Sequence, residues 1–75
     1  MEEEIEQLTR AIAHIPTAAL YMSRARLLWR LQRHAAAMAD FEKAAAMEGP
    51  GSGAAAALQM ARDVLDYRNT DMLNP

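Results

Sequence analysis

An all-α fold of four helices is what this sequence predicts, on three observations. Alanine is abundant while Gly and Pro number only three each, a composition that favours helix. Apolar residues recur at three- and four-residue steps, the helical period. A spaced set, Tyr21-x-x-Arg24-Ala25-x-x-Leu28 followed by Ala37-x-x-x-Phe41, alternates large and small residues where one helix must nest against another.

The first predicted helix covers 2–14. Ile5, Leu8, Ile12 and Ile15 make one apolar stripe, Glu2, Glu3 and Glu4 favour the helix dipole at its first turn, and Glu6 and Arg10 form an i,i+4 pair. Pro16 ends it by pushing its predecessor out of the α region. The second covers 18–32, with Thr17 as N-cap. Tyr21, Ala25, Leu28 and Gln32 share a ridge, and Leu20, Leu27 and Leu31 lie beside it. A short turn, Gln32-Arg33-His34, leads to a third helix over 35–47 with a buried stripe of Ala37, Met38, Phe41, Ala44 and Ala45. Gly49-Pro50-Gly51-Ser52-Gly53 is the clearest break in the chain. Ser52 caps a fourth helix over 53–68, with Leu58, Ala61, Val64, Leu65 and Tyr67 on its apolar side. Asn69 is the expected left-handed stop, and 70–75 the expected tail, with Met72 and Leu73 placed to fold back on the body.

Seventy-five residues set an upper limit of one domain, with a small core. There is no cysteine, so stability must come from helix packing, a partner or self-association. The start, MEEEIEQL, is the opposite of a secretory signal, and no apolar run approaches the roughly 18 residues of a membrane span. The expectation is a soluble, cytoplasmic protein. A net charge of −2 conceals an asymmetry. Glu2, Glu3, Glu4 and Glu6 open the chain with no base among them, whereas Arg24, Arg26, Arg30 and Arg33 fall in a stretch with no acid.

The chain also repeats itself. A shift of 33 residues lays Leu8-Thr9-Arg10-Ala11 on Phe41-Glu42-Lys43-Ala44, so the first helix echoes the third. A looser shift of 36 lays Ala25-Arg26 on Ala61-Arg62, so the fourth echoes the second. The expected order is a half repeat (2–15), a full repeat (18–51) and a capping helix (53–69).

This spacing resembles the tetratricopeptide repeat, whose pattern W-x2-L-G-x2-Y…A-x3-F…P marks a helix–turn–helix unit of about 34 residues. The segment from Leu58 to Asn74 (LQMARDVLDYRNTDMLN) looks like the closing segment of small bacterial repeat proteins, notably from the Bacteroidetes group, which implies a native tail. The departures are specific. Arg24 stands at the family's large Leu position and Ala25 at its Gly, and the closing Pro arrives one residue late, at Pro50. A subset of such repeats carries Arg there with an acid one residue before the aromatic. Asp40 precedes Phe41, so the resemblance implies an Arg24–Asp40 ion pair between the second and third helices.

The resemblance further implies antiparallel hairpins in a short right-handed superhelix, whose first helices line a concave groove. If Tyr21, Ala25 and Leu28 face the next helix, then Met22, Arg26, Trp29 and Arg30 face that groove, and Arg62 joins them under the 36-residue shift. An apolar strip edged by guanidinium groups suits a peptide with acidic residues or a free carboxylate. The expected function is a non-enzymatic protein–protein interaction module. A Met–Trp stripe at helical spacing equally suits core burial or a homodimer seam, so a self-associating assembly domain is the alternative. The basic helix admits a nucleic-acid reading, but the overall charge is acidic and no Lys-rich arm is present.

No catalytic constellation emerges. His14 and His34 stand alone, outside any metal-ligand spacing, and both are expected to be solvated. Ser23 and Ser52 lack a paired base nearby in sequence. Asp63, Asp66 and Asp71 lack the spacing of a calcium loop. No phosphate loop follows a strand, and no cofactor is expected.

Overall fold

A computed structural model describes the backbone of residues 1–73 and the side chains of residues 1–67. Its described residues form four helices and no strand: α1 (Glu2–His14), α2 (Ala18–Arg30), α3 (His34–Glu48) and α4 (Gly53–Leu73). Each helix packs on the next, α2 on α3 most extensively.

Local chemistry sets most of the boundaries. Ile15 is extended ahead of Pro16 (φ −138°, ψ 95°) and closes α1. Thr17 Oγ1 accepts from the Leu20 amide at 3.2 Å and starts α2. Gly49, at φ 92°, caps α3, and an Ala or larger residue there would be strained. Ser52 then serves twice: its hydroxyl donates to the Gly49 carbonyl at 2.7 Å and accepts from the Ala55 amide at 3.1 Å.

Helix α2 stops at Arg30, two residues short of the expected end. The Arg33 amide donates to the Leu28 carbonyl at 2.9 Å and the Gln32 amide to that of Trp29 at 3.0 Å. These are the paired bonds of a Schellman turn. Gln32 occupies its left-handed position at φ 63°, where a side chain costs about 1–2 kcal/mol. Helix α3 therefore begins at His34. That residue is half-buried, not solvated. Its ring centroid lies 4.5 Å from that of Trp29, and its buried Nε2 has no hydrogen-bond partner among the described residues. The tight turn carries His34 onto α3's first turn, facing the last turn of α2.

The fourth helix corrects the expectation at its other end. It runs through Asn69 to Leu73, because Asn only tolerates the left-handed conformation, and no Gly or Pro interrupts residues 54–74. The side chains of Met72 and Leu73 lie outside the described residues.

Cross-helix pairs show that neighbouring helices run antiparallel. Thr9 meets Arg24 and Glu2 meets Arg33 between α1 and the end of α2. Arg24 meets Asp40, and Trp29 meets His34, between α2 and α3. Glu42 meets Arg62 at 3.7 Å between α3 and α4.

The core is built mainly from alanine. Ala25, Ala37 and Ala44 are fully enclosed, Ala54 and Ala61 nearly so, and Met22, Leu28 and Phe41 complete the cluster. Small side chains let helix axes approach toward the lower end of the usual 8–10 Å. Phe41 is the largest buried residue; its ring meets Trp29 edge-on at 6.3 Å. Three residues expected on buried stripes are exposed: Ile15 (70 %), Val64 (42 %) and Tyr67 (70 %). Ile15 lies beyond the helical part of α1. Val64 and Tyr67 turn outward because α4 packs through Ala54 and Ala61.

One charged residue is buried among those described, Asp40 at 5 % exposure. The expected pair with Arg24 is present, and it is bidentate. Arg24 Nε donates to Oδ2 at 2.7 Å and its terminal nitrogen to Oδ1 at 2.8 Å. A third arm donates to Thr9 Oγ1 at 3.2 Å, and Thr9 in turn donates to the Ile5 carbonyl at 2.7 Å. The guanidinium also stands 5.7 Å from the centre of the half-buried Tyr21 ring. Hydrogen bonding to Asp40 raises the Arg24 pKa, while burial pulls the other way. A base with a raised pKa keeps its contribution at every pH below its ordinary range and loses it only as pH climbs past the folded value. The tie is therefore intact at neutral pH.

Two substitutions test this core. Phe41→Ala should cost about 3–5 kcal/mol, comparable to the whole stability of a domain this small, and abolish the cooperative urea transition. Arg24→Ala strands the Asp40 carboxylate. Because 21 % of the Arg24 side chain is exposed, the loss should fall near the lower end of about 3–5 kcal/mol. The double replacement Arg24→Met with Asp40→Leu should recover most of it, as read in a urea double-mutant cycle. An unchanged midpoint for Arg24→Ala would remove the pair from the account of stability.

Candidate functional site

An open, largely apolar concavity lies between α2 and α4. Arg26, Trp29 and Arg30 form its α2 wall, Phe41 of α3 its floor, and Ala57, Met60, Ala61 and Val64 its α4 wall. Its volume is about 350 Å³, within the range of a site for a small ligand or a few anchoring side chains.

The groove exists because both outer helices lean on α3. Ala37, Phe41 and Ala44 hold α2 and α4 against the middle helix, and the ring of Phe41 fills the bottom of the gap that remains. Trp29 is half-buried, held from below by Phe41 and from the side by His34. Its orientation is thus set by two ring contacts.

Arg26 and Arg30 sit one turn apart on the same wall, and both are exposed. Neither has an ion-pair partner among the described residues. The other described arginines near helix contacts are already committed: Arg24 to Asp40, Arg33 to Glu2 at 2.9 Å, and Arg62 to Glu42. The wall therefore carries two cations outside any ion pair beside an apolar floor, and Arg26 also borders a neighbouring cleft that Glu48 lines.

Three of the five expected groove residues, Arg26, Trp29 and Arg30, are brought together. Met22 is in the core instead, at 8 % exposure, because α2 turns that side toward the start of α4. Arg62 is also elsewhere. It lies two residues beyond Met60, roughly 200° around the helix, and reaches back to α3. The structural residues Tyr21, Arg24, Ala25, Leu28, Ala37, Asp40 and Phe41 all lie buried or half-buried at helix contacts.

The outward face of α4 was not foreseen. Met60 and Val64 of the wall recur at i and i+4, with the exposed Tyr67 beyond the groove at i+7, a spacing visible in the sequence. It reads as a buried stripe until the rotation of α4 is known. The 36-residue shift predicts burial correctly for Ala25 and Ala61, but it does not transfer orientation, which misplaces Arg62.

A second cleft, on another side, is lined by Ile5, Thr9, Arg24, Leu28, Ala36, Ala39 and Asp40. Its charged groups are spent on each other, leaving little for a ligand. Among the described residues, no group of three His, Cys, Asp or Glu is placed to hold a metal ion. No helix among them is long and apolar enough to cross a membrane. Comparison with family models, with curated proteins and with solved structures finds no match to this chain.

The two methionines separate core from groove. Met22→Ala should cost about 2–5 kcal/mol, as buried large-to-small changes do. Met60→Ala, at a 70 % exposed position, should stay within about 0.5 kcal/mol of the parent in urea unfolding. Equal costs would mean that α4 is rotated differently from the arrangement described.

Proposed function

We propose that this chain is a non-enzymatic protein–protein interaction module that holds a partner segment in the groove between α2 and α4. The observation that carries this reading is the pairing of Arg26 and Arg30, both outside any ion pair, with an apolar floor of Trp29 and Phe41. Such a surface favours a segment with one or two apolar anchors and carboxylates beside them. Buried apolar area supplies affinity, Trp and Arg are the residues most often found at interface hot spots, and guanidinium can grip carboxylate in a fork.

The tetratricopeptide resemblance supports the same reading. It adds the expectation of a right-handed superhelical stack, and the acidic start of the chain that of a cytoplasmic setting. The antiparallel hairpin of α2 and α3 and the enclosed Ala25, Ala37 and Phe41 are compatible with that stack. A nucleic-acid role is less well supported. Arg24 and Arg33 of the basic stretch are tied up in ion pairs, which leaves two free cations on α2 where a phosphate-tracking surface would use many more.

Synthetic amphipathic peptides provide the test. Those with Leu or Phe anchors and flanking Glu should shift Trp29 emission on titration, and rising salt should weaken them. The same anchors flanked by Lys should bind at least about tenfold more weakly, since like charges at an interface cost several kcal/mol. Arg26→Glu with Arg30→Glu should invert that preference while leaving the far-UV circular dichroism unchanged. Equal response to both peptide classes would refute charge selection by the groove, and no response to either by a monomeric chain would refute the groove.

A further inference from the structure

Helix α4 carries more exposed apolar surface than the groove accounts for. Met60 and Tyr67 are each 70 % exposed and Val64 is 42 % exposed. With the half-buried Ala57 they fall at 57, 60, 64 and 67, a 3-4-3 spacing that is the a/d seam of a coiled coil. With Val64 at an a position, the seam has the β-branched residue found there in two-stranded coiled coils; the charges at its edges decide the orientation.

The edges of this seam differ in charge. On the groove side stand Arg26 and Arg30 of α2. On the opposite side stands Asp63 of α4, exposed and accepting a hydrogen bond from Gln59 at 3.0 Å. A strip with one basic and one acidic edge complements itself under a two-fold axis running along the strip, which sets each basic edge on the partner's acidic edge. A two-fold axis across the strip, which makes the helices antiparallel, would instead set Arg26 and Arg30 against their own copies.

We infer that the groove's partner segment is α4 of a second copy of this chain, packed parallel to the first about a two-fold axis along the Met60–Val64–Tyr67 seam. The inference rests on the groove being a docking surface. An isologous contact of this kind closes on itself as a dimer. It covers the three large apolar residues and sets Asp63 of each copy against the other copy's Arg26–Arg30 edge. The exposed part of Trp29, in the groove wall, is shielded in the same step.

Sedimentation across a wide concentration range should show a species of twice the 8.3 kDa chain mass. Val64→Asp should give a monomer of unchanged helical content, since the position is open in the single chain. Asp63→Arg should weaken the dimer at least about tenfold, and adding Arg26→Asp with Arg30→Asp should restore it. The chain has no cysteine, so Tyr67→Cys places a single thiol on the seam. In the parallel arrangement two such thiols face each other and should oxidise to a linked dimer that Val64→Asp prevents.

A chain that stays monomeric throughout, or a dimer indifferent to Val64→Asp, overturns the inference. In a monomer, a Trp29 response to acidic peptides would leave the groove standing with a different occupant. A monomer without that response would remove both readings.

Discussion

The arrangement of the first three helices depends on one guanidinium. Arg24 places two nitrogens on Asp40 and a third on Thr9, so a single side chain spans α1, α2 and α3. Asp40 is buried, and a buried carboxylate is tolerated only with its partner in place. That requirement fixes register more sharply than alanine packing can. Sliding α3 along α2 by one turn would leave the alanine contacts nearly unchanged, because those small residues are nearly interchangeable. It would, however, pull Asp40 away from a planar fork that only Arg supplies. The register then places Phe41 beneath Trp29 and His34 beside it, and so the ion pair on one side of α2 determines the shape of the groove on another.

Alanine explains both the closeness of the helices and the incompleteness of the core. Five of the buried residues in the central cluster are alanines, which bring backbones together but bury little apolar area apiece. The few large side chains must therefore carry much of the burial, with Phe41, Met22 and Leu28 inside and Trp29 at the edge. A core of this kind leaves large residues over. Met60, Val64 and Tyr67 have no alanine-lined contact left to enter, since α4 spends its alanine face on α3. The exposed stripe is thus a consequence of how the inner contact is made.

The helices were legible in the sequence because their ends are written in short-range chemistry. Pro16, Thr17, Gly49 and Ser52 each act within four residues of where they stand, and each does what its type suggests. The Arg24–Asp40 tie was legible for another reason: the tetratricopeptide resemblance implied it, through the subset of such repeats that pairs an Arg at that place with an acid just before the aromatic. What could not be read was rotation. Whether Met22 or Met60 faces the groove depends on how α2 and α4 turn about their axes, and that is set by which alanine face wins the contact with α3. The same cause misplaced Arg62, Val64 and Tyr67. His34 was misread because the Schellman turn at a non-glycine residue shortens α2 and moves the next helix forward. The end of α4 was misread because Asn69 permits a stop without enforcing one.

The arginines divide by what they face. Where a carboxylate lies within reach, as for Arg24, Arg33 and Arg62, the charge is used to join helices. Where the neighbours are Trp29, Phe41 and the alanines of α4, as for Arg26 and Arg30, no ion pair forms, although Glu48 lines a cleft beside Arg26. Two like charges one turn apart on a helix repel slightly, so an isolated chain gains nothing from holding them there. An anionic, partly apolar occupant reverses that sign. Because it binds only the folded arrangement, it also stabilises the fold by mass action. In a chain with so thin a core, the binding surface and the stability of the fold are therefore coupled: whatever covers the stripe and neutralises Arg26 and Arg30 also helps to hold α2 and α4 on α3.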